Sequence, residues 1–516
     1  MRKFSALILT LSLVLAATAC SSSQETNSGT KAAKNQSAPG AEEVMQESVS
    51  LEGDITGEIQ VSCYDSTIYK NYLEEAAKAF EEKYAGTKVN ISTFSAVPDV
   101  KSSTTADGKS MKMITKNKDT KSESDYISQI NTELMTGGGA DVLGMDILPC
   151  YKYAENGQIE DLNAYMEADE TFAKEDYRQN ILNAATYKGG QYIFPMDYTF
   201  DILSYDKTLL DSAGQGSLDP QGAYTYEQLI EIGQNSFEEK NNANPESPVK
   251  MFNYSGGSLG KGTMFGQLFH QNYDKFIDVE NKTVDFTGGQ FADILKTAKD
   301  YEEKGYMDKQ VQKNPEDVLK QNSSQNYLYK TISNTMLLPA FNDDRTTRKQ
   351  TRMTGNGGMF TENDEIAGMI KNNENDITFD ISQAYALNSN SGNKRTAWEF
   401  IKFLAGEEMQ TSLNLMGTPV NIKAGEEKAK QEITGELYDP ENNRGTTELN
   451  EKQTEILNNY ITALNRYSDM LTTYRVHDTV IDDMVYEEAG YFFDGSKSAE
   501  EVADVLQGKI ELYLKE

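Results

Sequence analysis

Histidine, tryptophan and cysteine are all scarce in this chain of 516 residues, which has two, one and three of them respectively. His270 and His477 have no partner at zinc-helix spacing, and no His/Cys cluster has metal-ligand spacing, so neither a metal nor another cofactor is expected. Each histidine reads as an ordinary surface or packing residue. Beyond Cys20 only Cys63 and Cys150 remain, too few for a disulfide framework. One Cys63–Cys150 bridge stays open, beside the alternative that Cys63 packs as a small apolar residue in a strand. Basic residues are outnumbered, 49 against 81 acidic ones, for a net charge of −32. A surface so acidic repels nucleic acid and anionic lipid, which excludes DNA binding and disfavours polyanionic substrates. No internal repeat of ~20–50 residues is visible.

Long apolar runs are missing too. The longest, Phe4–Ala17, falls short of the ~20 residues that span a bilayer. It follows Arg2 and Lys3 and ends in Ala17-Thr18-Ala19 before Cys20, the layout of a secretory signal ending at a lipidation cysteine. Residues 1–19 therefore resemble a bacterial lipoprotein signal, with Cys20 carrying diacylglycerol and acyl chains such as palmitate. Ala17 stands where Leu is commoner in such signals. Losing Arg2 and Lys3 leaves 47 basic residues against 81 acidic ones, a mature charge of −34. Residues 20–50 contain almost no large apolar side chain and read as a flexible linker below that anchor.

What is present, from residue 51 on, exceeds one hydrophobic core, so at least two lobes are expected. Glu58–Tyr64 reads as a strand. Tyr72, Leu73, Ala76, Ala77 and Phe80 fall on one face of a helix over Tyr69–Tyr84, and Lys88–Phe94 alternates as a second strand. The Lys-rich tract 101–124 reads as an exposed loop or hairpin insertion. Helix resumes over Asp125–Met135, and Ala140–Met145 is a short buried strand ending at Asp146. Pro195 interrupts the strand-rich stretch Gln191–Tyr205, where a crossing between lobes is expected. Helices are expected over Tyr226–Ser236 and Gly289–Lys304, with the glycine-rich loop Tyr254–Gly262 between them. Asn334–Leu338 reads as a returning strand, 342–379 as irregular, Asp380–Leu387 as a strand and Asn393–Leu404 as an amphipathic helix. The tail from Glu448 reads as helical.

Five segments in this order resemble the extracellular solute-binding proteins of ABC importers, in the carbohydrate-binding group that includes maltose-binding protein. They are YLEEAAKAFEEKYAGTKVNIS, INTELMTGGGADVLGMDILPCYKYAENGQIEDLN, YIFPMDYTFDILSYDKTLLDSAG, NKRTAWEFIKFLAGEEMQ and GTPVN. The resemblance implies an α/β, two-lobed periplasmic-binding-protein-like fold of type II, with a ligand cleft between lobes joined by crossing strands. The expected lobes are 51–197 for the first, 198–330 for the second, 331–382 returning to the first, and 383–516 in the second. It also implies a lipid-anchored extracellular protein that binds a carbohydrate, an oligosaccharide by expectation, and delivers it to the transmembrane permease subunits of an ABC transporter. Binding without turnover is expected, not catalysis. The alternatives are a lobe for a peptide or polyamine, one that signals to a sensor kinase, or a surface glycoside hydrolase.

Ligands of open α/β sheets bind beyond the carboxyl ends of the strands. Sugars need aromatic faces together with carboxylates or amides. Tyr64 with Asp65, Asp146, and Asp197 with Tyr198 supply these groups at strand ends. Asp65 could instead cap a helix, and Asp197 and Tyr198 could serve the hinge alone. Ser255 and Gly256 could present backbone N–H groups, and Phe341 with Asn342 follows the returning segment. Trp398, beside Phe400, Ile401 and Leu404 on one helix, is read as core packing.

Overall fold

A computed structural model describes residues 49–64, 67–94, 99–104, 110–115, 120–212, 214, 216–254, 259–260, 262–307, 327–338, 363–412, 414–434, 449–476 and 478–516. Of the sequence-derived candidates, Cys20, Asp65, Ser255, Gly256, Phe341, Asn342 and His477 lie outside the described residues.

The first lobe is built on a five-stranded sheet in the order Thr87–Phe94, Gly57–Tyr64, Val142–Gly144, Ala384–Leu387, Phe194–Pro195. Its first three strands are parallel, and the last two are each antiparallel to their neighbour. The helix Thr67–Lys83 is the crossover between the first two strands, and it buries Tyr72, Leu73, Ala76, Ala77 and Phe80 as the periodicity requires. Helix Lys394–Ala405 presents Trp398, Phe400, Ile401 and Leu404 to the same core, and the rings of Phe80 and Phe400 meet edge to face at 5.2 Å. Each such side chain contributes roughly 1.5–3 kcal/mol on burial. Trp398 is packed as expected, its Nε1 donating to Asp169 Oδ2 at 2.9 Å. Neither Cys63 nor Cys150 is in a disulfide, so the bridge does not form.

The second lobe has its own core and a mixed five-stranded sheet in the order Lys250–Phe252, Tyr327–Ser333, Asp201–Asp206, Asp364–Ile370, Ala223–Tyr224. Gly368 sits at a bulge in this sheet with φ +92°, and a Cβ there would lie 2.0 Å from the Gly222 carbonyl oxygen. Only glycine fits that approach.

Three expectations are corrected. The strand in the returning segment is Tyr327–Ser333, and Asn334–Met336 is instead a 3-10 turn. Within the stretch expected to be irregular, Asp364–Ile370 is a strand of the second sheet, so 331–382 does not belong wholly to the first lobe. Residues 384–471 pack in the first core and 479–516 in the second, so 383–516 is split between the lobes. An amphipathic pattern shows that a helix has an apolar face, not which of two sheets that face covers. In the inserted tract, Asp99–Thr104 and Ser110–Thr115 pair as an antiparallel hairpin, and the following helix begins at Thr120.

Candidate functional site

The chain passes between the lobes at Thr199–Phe200, at Asn334–Leu338, over residues 371–379 and at Arg475–Asp478. Backbone hydrogen bonds lace these crossings together. Thr199 and Asp380 exchange a pair at 2.8 Å, Asn334 N–H donates to the Phe200 carbonyl at 2.9 Å, and Arg475 N–H donates to the Phe379 carbonyl at 2.8 Å. The side chain of Asn334 adds a bond from Phe200 N–H and gives one to Thr418 Oγ1.

Above these crossings lies a cavity of about 390 Å³, within the ~300–1,000 Å³ usual for small-molecule sites. Among the described residues each of these crossings borders it: Thr199, Phe200 and Asp201 at the first, Ser333 and Thr335 at the second, Asp380 and Ser382 just after the third, Arg475 at the fourth. Gln267 enters from a second-lobe helix and Met416 from a first-lobe loop. The chemistry is hydroxyls, an amide and charged groups around one aromatic ring and one thioether.

Arg475 is the pivot of this lining. It is 6% exposed, and its Nη2 lies 2.7 Å from Asp380 Oδ2 while Nη1 donates to Gln267 Oε1 at 3.3 Å. Burial works against its charge, but Asp380 and Asp201 outweigh that and hold its pKa above the usual value. Burial pushes the carboxyl of Asp201 above the ordinary carboxylate range, Arg475 opposes this, and Asp380 adds to it.

The sequence-derived candidates divide. Asp197 and Tyr198 are fully buried beside the first crossing. Asp197 Oδ1 accepts from the backbone N–H groups of Ser382 and Gln383 at 3.0 and 2.9 Å, and Oδ2 accepts from Gly417 N–H at 2.9 Å. Tyr198 closes on Ser468 Oγ at 2.7 Å. These consecutive side chains point to opposite faces of the strand, and both faces are covered, so each stitches the fold. Tyr64 ends its strand with its ring against Phe94 and Tyr126, at 6.2 and 5.6 Å. Asp146 is half-buried near Tyr69, whose hydroxyl donates to the Ser382 carbonyl at the cavity wall. His270 is buried, its Nε2 2.9 Å from the hydroxyl of Tyr486, a packing role as expected.

Sequence reasoning missed Asp201, Arg475, Gln267 and Met416. Asp201 sits four residues beyond Asp197 in the segment marked as a crossing, which was the only available signal. Among the described residues no cluster of His, Cys, Asp and Glu could hold a metal ion, and no helix is long and apolar enough to cross a membrane.

The fold recurs in solved structures. The family 1 extracellular solute-binding protein of Alicyclobacillus acidocaldarius aligns with a TM-score of 0.54 at 12% identity, covering 90% of this chain and 100% of that one. The cyclic α-maltosyl-1,6-maltose binding protein of Arthrobacter globiformis gives 0.54 at 14%, covering 89% and 99%. Maltose-bound MalE3 of T. maritima gives 0.51 at 15%, covering 88% and 99%. Identities this low carry the fold alone. No curated protein sequence matches the chain. The profile of the bacterial extracellular solute-binding protein matches residues 117–411, more than half of the chain. With two lobes, laced crossings and a polar cavity between them, this chain belongs to the bacterial extracellular solute-binding protein family.

Proposed function

We propose that this protein captures a carbohydrate outside the cell and delivers it to the permease of an ABC transporter, held to the membrane by a lipid on Cys20. The observation that carries the reading is the cavity on the crossings, which faces a ligand with hydroxyls, carboxylates and an amide beside the Phe200 ring and Met416. Such a lining suits a polyol with one apolar face. Structural neighbours that are maltose-bound or named for binding a cyclic maltosyl sugar point the same way. A cavity of about 390 Å³ fits a short saccharide better than a long chain.

Asp146 and Tyr64 are proposed to extend the site along the first lobe, and Asp65, Ser255, Gly256, Phe341 and Asn342 remain proposed contacts. Ligand bridging both lobes favours a closed form through its higher affinity for that state, and the closed form docks on the permease. Binding, not turnover, is the proposed activity.

A thermal-shift screen of unfolded and refolded protein against mono- and oligosaccharides, polyamines and short peptides tests the ligand class. Ligand at ~100 times its Kd adds about 2.7 kcal/mol, a readable shift. A shift with sugars supports the reading, and a shift only with peptides or polyamines overturns it. Anchoring is tested separately: Cys20→Ser should move the protein from the membrane fraction to the medium.

A further inference from the structure

The charged groups of the cavity do not balance. Among the described lining residues, Arg475 is the one cation, against the two carboxylates of Asp201 and Asp380. The guanidinium is already engaged, with Asp380 at 2.7 Å on one nitrogen and Gln267 at 3.3 Å on another. It is also 6% exposed, so swinging it toward a ligand would break its ion pair with the half-buried Asp380. Among the described residues, an anionic ligand therefore meets two acidic side chains and one guanidinium whose Nη atoms are already engaged. Asp201 is the surplus carboxyl: burial raises its pKa, an ammonium beside it would restore its charge, and it stands at the cavity end of the strand Asp201–Asp206. The chain's net charge of −32 adds a field that concentrates cations and repels anions.

We infer that this cavity ranks saccharides by charge, taking an amino sugar ahead of its neutral counterpart and rejecting the uronate or phosphorylated form, with Asp201 as the residue that sets the ranking. The inference rests on the carbohydrate reading above. A ligand ammonium within about 4 Å of a partly buried carboxylate gains enough to favour it roughly tenfold over a hydroxyl, after solvent screening. Neutral sugars bind through the hydroxyls and amide of the lining, which carry no preference of sign.

The test is calorimetric titration of the full chain with the neutral, amino and uronic acid members of the gluco, galacto and manno series. The expected result is an amino sugar bound about tenfold more tightly than its neutral partner, with no heat from the uronates. Asp201→Asn should bring the amino and neutral forms within about twofold of each other. Thr335→Asp, at an exposed position of the same lining, should widen their separation, and it keeps the test open if the Asp201 variant folds poorly. Uronate binding equal to neutral binding, equal affinity for amino and neutral forms, or an amino advantage that survives Asp201→Asn would overturn the ranking while leaving sugar binding intact. No response to any sugar, with a response to peptides, would remove the carbohydrate reading and the ranking with it.

Discussion

Asp197 and Asp201 stand four residues apart on either side of the first crossing, and they have opposite fates. Asp197 is fully buried, with three backbone N–H groups closing on its two oxygens. Asp201 lines the cavity and faces a shared arginine. The first is held by donors that cannot move without unfolding the hinge. The second is balanced by one side chain across a cavity. A carboxylate surrounded by backbone donors is architecture, whereas one facing open volume and a counter-charge is available for recognition.

The largest break in this comparison is Asp197→Ala. It strands the N–H groups of Ser382, Gln383 and Gly417 in the interior, and at roughly 1–3 kcal/mol for each orphaned group we expect a loss of about 4 kcal/mol, read by urea denaturation. A loss below about 1 kcal/mol would show that the hinge does not depend on this carboxylate. Next is Arg475→Met, which removes the guanidinium facing Asp380 and Asp201 and should cost about 3 kcal/mol at neutral pH. Removing the cation raises the Asp201 carboxyl pKa in the folded state further. The folded variant then binds more protons than the unfolded chain, and its stability should recover as pH falls. Melting curves at pH 7 and 4.5 show whether that sign is right.

Gly417→Ala comes third. A Cβ at this position would lie 2.4 Å from Asp197 Oδ2, so the staple must shift, at about 2 kcal/mol. Lys428 gives a smaller effect confined to alkaline pH. Burial lowers its pKa to about 8 against the pull of Asp197 and Glu432, and its ammonium holds the Leu415 carbonyl in the same loop. Between about 8 and its ordinary 10.5 the unfolded chain binds the extra proton, so stability should rise with pH across that window. Lys428→Met should flatten the slope; a slope unchanged by the substitution would assign it elsewhere. The smallest effect on stability belongs to Asp201→Asn, at under about 1 kcal/mol, because among the described residues no backbone N–H donates to its side chain. Its consequence should appear in ligand titrations instead.

The legible parts of this molecule were those whose pattern repeats locally. The apolar face of Thr67–Lys83, the strands on either side of it and the packing of Trp398 followed from spacing alone. Pro195 marked the neighbourhood of the first crossing, and the chain does leave the first sheet there. Asp364–Ile370 was illegible because a short strand inside a polar stretch offers too few residues to establish a period. The carboxylates were recognised as candidates, but nothing local separated the one that staples from the one that faces the cavity.

By itself the sequence determined the class of the protein, through its ordered α/β segments and its acidic balance. It also determined the elements of the first lobe, because helices and strands are periodic along the chain. Only the tertiary structure decided the site. Thr199–Asp201, Ser333–Thr335, Asp380–Ser382 and Arg475 are separated by up to hundreds of positions and meet because the crossings among the described residues share one hinge. Tertiary folding also chose which sheet each C-terminal helix covers, since burial depends on the partner surface and not on the helix that seeks it.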